Sequence, residues 1–256
     1  MTAFRAPALA LLLFVFFAQG VQAQRLVSVL SDKLVSIDSS FAGETLTLFG
    51  NVEPETGSGD KYVEGPFNVI VVIRGPTVDR VARKKTKQFG VWLNTEQLVF
   101  KSLPSFFWVL ASEKLEDIAA PELLEEEGLL PKAQPQLVIV QGGGAPKLFG
   151  SELVRLMEEK KLFGVDEHGV QFRSNTLYSA RVTLPADVPN GNFLAQTYLF
   201  KNGEIVSRKS EGFSVRKTGF ERLVGTSARQ YPWVYGFSCV ILALFTGWLG
   251  GVVFRR

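Results

Sequence analysis

Residues 192–208 read NFLAQTYLFKNGEIVSR, and the fold class follows from how they are read. Two runs rich in β-branched and aromatic residues flank Asn202-Gly203, a pair that accepts positive φ and suits a type I′ turn. The stretch is therefore predicted to be a β-hairpin, and Asn190-Gly191 marks another turn just before it. Working outward, the same period-two signal recurs in ETLTLFGN (44–51), FNVIVVIR (67–74), FGVWLN (89–94) and QLVFKSL (97–103). Each run is bounded by Gly, Pro or Asn. Short strands at this spacing predict a mainly β body, an immunoglobulin-like β-sandwich. GETLTLFG and the later NTLYSARVTLP read as equivalent strands, which leaves one sandwich and two modules both open.

The middle of the chain differs. EKLEDIAAPELLEEEGLL (113–130) carries seven acids and few β-branched residues, and SELVRLMEEKKLF (151–163) places Leu153, Leu156, Met157 and Phe163 near helical spacing. Two helical segments are predicted, the first broken at Pro121, joined through LVIVQGGGAPK. The acidic run reads as a solvated helix face, with a counter-surface for a basic hairpin as the alternative. The expected organisation is a β-rich region over 24–112, a helical insertion with a Gly-rich connector over 113–163, and a returning β region over 164–217. A membrane-proximal linker or helix follows over 218–232.

The two ends bound the compartment. MTAFRAPALALLLFVFFAQGVQAQ puts one cation, Arg5, ahead of an apolar stretch from Ala8 to Ala18, with small residues around Ala23. That is the layout of a secretory signal peptide, expected over 1–23. Residues 233–254, WVYGFSCVILALFTGWLGGVVF, carry no charge and suffice to cross a hydrocarbon core of about 30 Å as a helix. Trp233 and Tyr235 stand where interfacial aromatics stand, and Arg255-Arg256 form a short cytoplasmic tail. The reading is a single-pass protein of a bacterial inner membrane with its body in the periplasm. Arg216, Lys217, Arg222 and Arg229 precede the span and outnumber the arginines after it. That imbalance opposes the positive-inside tendency, which is weak for a long domain already committed to export.

Composition agrees. The one cysteine, Cys239, lies in the span, so the body holds no disulfide, as a bacterial periplasmic domain allows. Setting aside Arg5, Arg255 and Arg256 from the 28 basic residues leaves as many cations as the 25 acids. A neutral exported body is no nucleic-acid binder.

Catalytic and cofactor motifs are few. The one histidine, His168 in DEHGVQF, reads as a polar turn residue, and no zinc-ligand spacing or Gly-x-Ser-x-Gly elbow accompanies it. Gln141-Gly142-Gly143-Gly144 precedes a helix, yet Lys147 is not followed by Ser or Thr, and no dinucleotide pattern completes it. A flexible connector is expected there. No cofactor, metal site or enzymatic activity is expected.

What remains is RGPTVDRVARKKTKQFGVWLN (74–94), where Arg80, Arg83, Lys84, Lys85 and Lys87 fall within eight positions without an acid. Extended, the segment puts Arg83, Lys85 and Lys87 on one face with Val81, and Arg80 and Lys84 on the other. Charge on both faces excludes a central strand and predicts an edge strand or projecting hairpin. With Arg74 and Trp92 these residues form a candidate patch for an anion, a partner or anionic headgroups. In the span, Ala243, Gly247 and Gly251 recur every four residues, a spacing that lets another helix approach. A homodimer and docking on a polytopic partner fit it equally.

The order LVSVLSDKLVSIDSSFAGETLTLFGNV, then VVIRGP with its basic strand and GVWLN, then SFFWVLAS and one C-terminal span, resembles a family of alphaproteobacterial transmembrane proteins of unassigned activity. The resemblance covers the whole mature chain and supplies no catalytic residue. It implies association with permeases similar to sulfite or organosulfonate exporters. The functional expectation is a periplasmic accessory or binding protein beside an anion permease. The alternative is a structural envelope protein that binds another exported protein through its β body.

Overall fold

The computed structural model describes residues 25–253 except 39, 55–62, 64 and 219. The expected leader at 1–23 and tail at 255–256 lie outside the described residues. The hairpin of 192–208 forms as read. Strands β12 (Gly191–Lys201) and β13 (Glu204–Lys217) pair antiparallel. They meet at Asn202 and Gly203, with φ of 54° and 85°, the left-handed values a type I′ turn requires at both positions.

Three sheets are built around this hairpin. The first has the order β1 (Arg25–Leu30), β3 (Glu44–Glu53), β11 (Leu177–Leu184), β10 (Val170–Phe172). The second has the order β2 (Leu34–Ile37), β13, β12, β4 (Asn68–Arg74), β7 (Phe107–Ala111), β9 (Phe163–Asp166). Its edge pairs β13–β2 and β7–β9 are parallel. The third is small: β5 (Thr77–Gln88), β6 (Val91–Pro104), β8 (Val140–Gly143). The body is mainly β, as the sequence predicts.

One correction concerns modularity. GETLTLFG and NTLYSARVTLP are not equivalent strands of two modules. They are neighbours, β3 and β11, paired antiparallel with Leu46 opposite Val182. Residues of the first two sheets share a single apolar core. A second correction concerns FGVWLN and QLVFKSL: from Val91 onward the two runs are one continuous strand, β6, with Phe89-Gly90 as the turn before it. The polar residues between them do not end a strand that β5 accompanies on both sides of them.

Burial explains the patterns. β3 alternates, with Leu46, Leu48, Gly50 and Val52 inward, as a strand solvated on one face must. β4 is buried continuously from Val69 to Ile73, because it is central in its sheet and covered on both sides. The helical insertion contributes to the same core: Leu115 and Ile118 from α1 (Leu115–Ile118), Leu124 from α2 (Pro121–Glu126), Val154 and Met157 from α3 (Pro146–Glu159). Leu156, expected inward, is exposed. The inward face of α3 uses Phe149 and Val154 together with the expected Met157, the expected Leu153 packs against the core half-buried, and Phe163 belongs to β9. The exposed acids Glu113, Glu116, Asp117, Glu122, Glu125 and Glu126 are a solvated face. Glu127 pairs with Arg208 of β13 at 2.6 Å. Among the described residues no acid of this run pairs with the basic hairpin.

Gly50 occupies an inward position for a steric reason. Tyr178, its cross-strand partner, lies over it so closely that a Cβ there would meet the phenol oxygen at 2.1 Å. The Tyr178 hydroxyl and Thr197 Oγ1 are both buried, and among the described residues neither has a partner in hydrogen-bonding geometry. Burial pushes the Tyr178 phenol up to about 12, and Thr197 opposes that shift only in part.

After β13 the chain forms α4 (Phe220–Gln230) and α5 (Pro232–Val253). α5 has 22 residues and none of its most apolar stretch is buried against the body. At 1.5 Å per residue it measures about 33 Å, matching a hydrocarbon core of about 30 Å.

Candidate functional site

The basic stretch folds as the β5–β6 hairpin, and β5 is the edge strand of its sheet. The base of the hairpin is held by a small separate core of Leu98, Phe100 and Leu103 from β6 and Phe149 from α3, with Ala82 packed against it. At that base Asp79 accepts hydrogen bonds from Lys101 Nζ at 2.6 Å and the Ser102 amide at 3.0 Å. These contacts hold the Asp79 carboxyl below the usual carboxylate range, the Lys101 hydrogen bond contributing most. They also pin an irregular register between Val78 and Arg80.

Beyond the base, residues 83–97 are exposed except for half-buried Thr86 and Glu96. The projecting part, from Arg83 to the turn at Phe89, is about 20 Å long at 3.4 Å per residue. A second register shift falls at Lys84/Lys85, where Thr95 of β6 drops out of the ladder and its hydroxyl accepts from that of Thr86 at 3.1 Å. Bulges of this kind twist a ribbon and blunt its pairing edge.

The glycine run is the third strand of this sheet and not a flexible connector. β8 pairs antiparallel with β6, Gly142 opposite Leu98. Gly142 has φ 121°, and a Cβ there would come within 2.2 Å of the Gln97 carbonyl oxygen. A glycine at that point is the residue that lets β8 close on the hairpin's base.

The sequence-predicted patch separates into parts. Arg74 belongs to β4 in the central sheet, where its guanidinium donates to Gln196 Oε1 and to the Gly128 carbonyl at 3.0 Å and lies 5.4 Å over the Phe107 ring. It ties the insertion to the sheet. Arg80 sits opposite Phe100, half-buried, its Nε without a hydrogen-bond partner among the described residues. Lys84 pairs with Glu96 at 3.2 Å. Arg83 donates to the neutral Gln97 amide oxygen at 2.9 Å. Lys87 stands opposite Trp92 and Lys85 opposite Asn94. Arg83, Lys85, Lys87 and Trp92 thus share one face, and among the described residues neither Lys85 nor Lys87 has an acidic partner within ion-pair distance.

Sequence reading missed the apolar tip. Phe89 is 104% exposed, Trp92 65%, Val91 59% and Leu93 48%. FGVWLN has the composition of a buried strand, so only tertiary context shows that nothing covers it. The available signal was Phe-Gly as a two-residue turn between two long runs.

Elsewhere the chemistry is sparse. His168 lies exposed in a turn, its amide donating to Asp166 Oδ1 at 3.1 Å. Among the described residues no three His, Cys, Asp or Glu converge as a metal site. On α5, added side-chain atoms at Gly247 and Gly251 would meet nothing within 4 Å, so the small-residue face with Ala243 is uncovered in the monomer.

The chain is thus a β body followed by a 22-residue apolar helix that the body leaves uncovered. The family model described as "Putative transmembrane protein (Alph_Pro_TM)" matches residues 25–256. The chain belongs to this family. The match runs from β1 through α5, so hairpin, insertion and span are all parts of the Alph_Pro_TM unit. No curated protein matches the chain.

Proposed function

We propose that this Alph_Pro_TM protein is an accessory or binding protein, anchored in a bacterial inner membrane by α5 with its β body outside, and that it performs no catalysis. A signal peptide at 1–23 and a cytoplasmic C-terminus complete that reading. One observation carries it: the fold spends two long strands on an exposed hairpin that presents Arg83, Lys85 and Lys87 beside an uncovered aromatic tip. Such an element suits contact at a membrane surface, next to a polytopic permease that exports sulfite or organosulfonate anions. The uncovered Ala243, Gly247 and Gly251 face of α5 is the corresponding contact within the bilayer, toward that permease or a second copy of the chain. The immunoglobulin-like assignment draws support from the strand orders β1-β3-β11-β10 and β13-β12-β4, which follow the A-B-E-D and G-F-C arrangement of such sandwiches. The parallel β7–β9 pair departs from it.

The test is purification of the full chain in mild detergent. A polytopic permease is expected to co-purify, and charge reversal at Arg83, Lys84 and Lys85 is expected to reduce its recovery and the cells' tolerance of sulfite. Unchanged recovery and tolerance would remove the hairpin from the account. The second reading, a structural envelope protein, is favoured by Val29 and Phe49, paired across β1 and β3 yet 58% and 49% exposed. Recovery of an exported protein lost on Phe49→Lys, with no permease, would establish it instead.

A further inference from the structure

Two turns in this chain share a backbone and differ in residue. Asn202-Gly203 has φ of 54° and 85°, and Phe89-Gly90 has 49° and 85°. Asn is a favoured residue at the first position of such a turn, whereas a bulky aromatic there is strained. Phe89 is also fully exposed, so its ring gains nothing inside the fold in return. Strain combined with an unburied aromatic points to a contact outside the body.

The shape of the tip indicates what that contact is. Val91 and Leu93 lie on one face of the ribbon, Trp92 on the other, and Phe89 at its end. A protein groove takes one face of a strand, whereas a tip with apolar residues on both faces suits immersion in a medium. Lys87 stands level with Trp92 on its face, and Lys85 and Arg83 follow behind at two-residue intervals of about 7 Å each.

We propose that the tip enters the interfacial layer of an anionic phospholipid bilayer. Phe89, Val91, Trp92 and Leu93 lie at the headgroup–acyl boundary, Lys87 beside Trp92 reaches back along its own stem to the phosphates, and Lys85 and Arg83 lie among them. The depth fits, because interfacial elements bury their apolar part about 5–10 Å, the reach from Lys87 to the turn. The complementarity fits as well, because these cations lack an acid of their own. The span of the same chain brings such a surface to the body. The inference rests on the reading of a body held at a membrane, and it names the lipid as the hairpin's own target.

The test uses the full chain with Val91→Cys in a Cys239→Ala background, carrying an environment-sensitive fluorophore, in nanodiscs of phosphatidylcholine with or without phosphatidylglycerol. Leu93→Cys serves as a second probe. A blue shift, with quenching by nitroxide lipids, is expected in the anionic discs. Phe89→Asn should keep the hairpin's amide protection and lose the quenching. Replacing Arg83, Lys85 and Lys87 by Gln should lower the inserted-to-free ratio on the order of a hundredfold, each cation near an anionic surface being worth roughly fivefold. No shift in anionic discs, or an equal shift in neutral discs, would overturn the proposal. A shift that requires an added membrane protein would overturn it in favour of a protein partner. Permease recovery is read separately, so either idea can fail alone.

Discussion

Gly50→Val is expected to unfold the body or to lower its stability by about 4 kcal/mol or more, read as the thermal midpoint of the full chain in detergent. Gly50 faces the shared core, and the Tyr178 ring occupies the space a side chain would need, with Oη 2.1 Å and Cζ 2.2 Å from a built Cβ. Tyr178 is fully buried and packs edge-on against Phe172 at 6.0 Å, so it has no room to withdraw. Overpacking alone costs about 1–3 kcal/mol, and displacing a core aromatic costs about 3–5 kcal/mol, against a total of about 5–15 kcal/mol for a domain. A midpoint within a few degrees of wild type would contradict this packing. Tyr178→Phe keeps the ring and removes only an unpartnered hydroxyl, so little loss is expected at neutral pH. Its effect appears in alkali. With the folded phenol pushed up to about 12, the unfolded chain loses its proton first, near pH 10. That stability is complete below pH 10 and falls as pH rises toward 12, by about 3 kcal/mol. Tyr178→Phe should remove that part of the decline.

Arg74→Met is the second large effect, with an expected loss of about 2–4 kcal/mol. The substitution keeps the apolar stem but removes the donors to Gln196 and Gly128 and the cation over Phe107. The Gly128 carbonyl retains the Gln134 amide at 2.9 Å, so the insertion should loosen without detaching. Hydrogen exchange should rise over residues 115–136 while the β5–β6 hairpin keeps its protection. Because Arg74 is a structural tie, lipid insertion of the tip should be unaffected. Loss of tip insertion with an intact midpoint would return Arg74 to the hairpin surface.

These two residues show what the sequence conveys and where it stops. Strand identity was legible where local chemistry is sufficient. Asn202-Gly203 specifies its turn, the alternation in 44–51 specifies a one-sided strand, and the uncharged segment at 233–254 specifies a helix fit to cross a bilayer. The two-faced charge of 80–87 likewise placed β5 at an edge. Partners distant in sequence were not legible. Nothing near GETLTLFG announces that NTLYSARVTLP is its neighbour. The glycine run looks like a connector until β6 is seen beside it. Arg74 joined the candidate patch by proximity in sequence alone, although its strand leads into the central sheet. That the tip is uncovered was not legible either, because apolar composition does not reveal exposure, which is a property of the surroundings.

The hairpin is expected to lie outside the membrane that α5 crosses, and the sidedness of the chain decides this. With Cys239 replaced by Ala the chain has no cysteine, so His168→Cys, in an exposed turn of the body away from the hairpin tip, and Arg256→Cys each give a single reporter. In spheroplasts treated with a membrane-impermeant maleimide, His168→Cys is expected to label before lysis and Arg256→Cys only after it. Labelling of Arg256→Cys in intact spheroplasts, with His168→Cys protected until lysis, would contradict this.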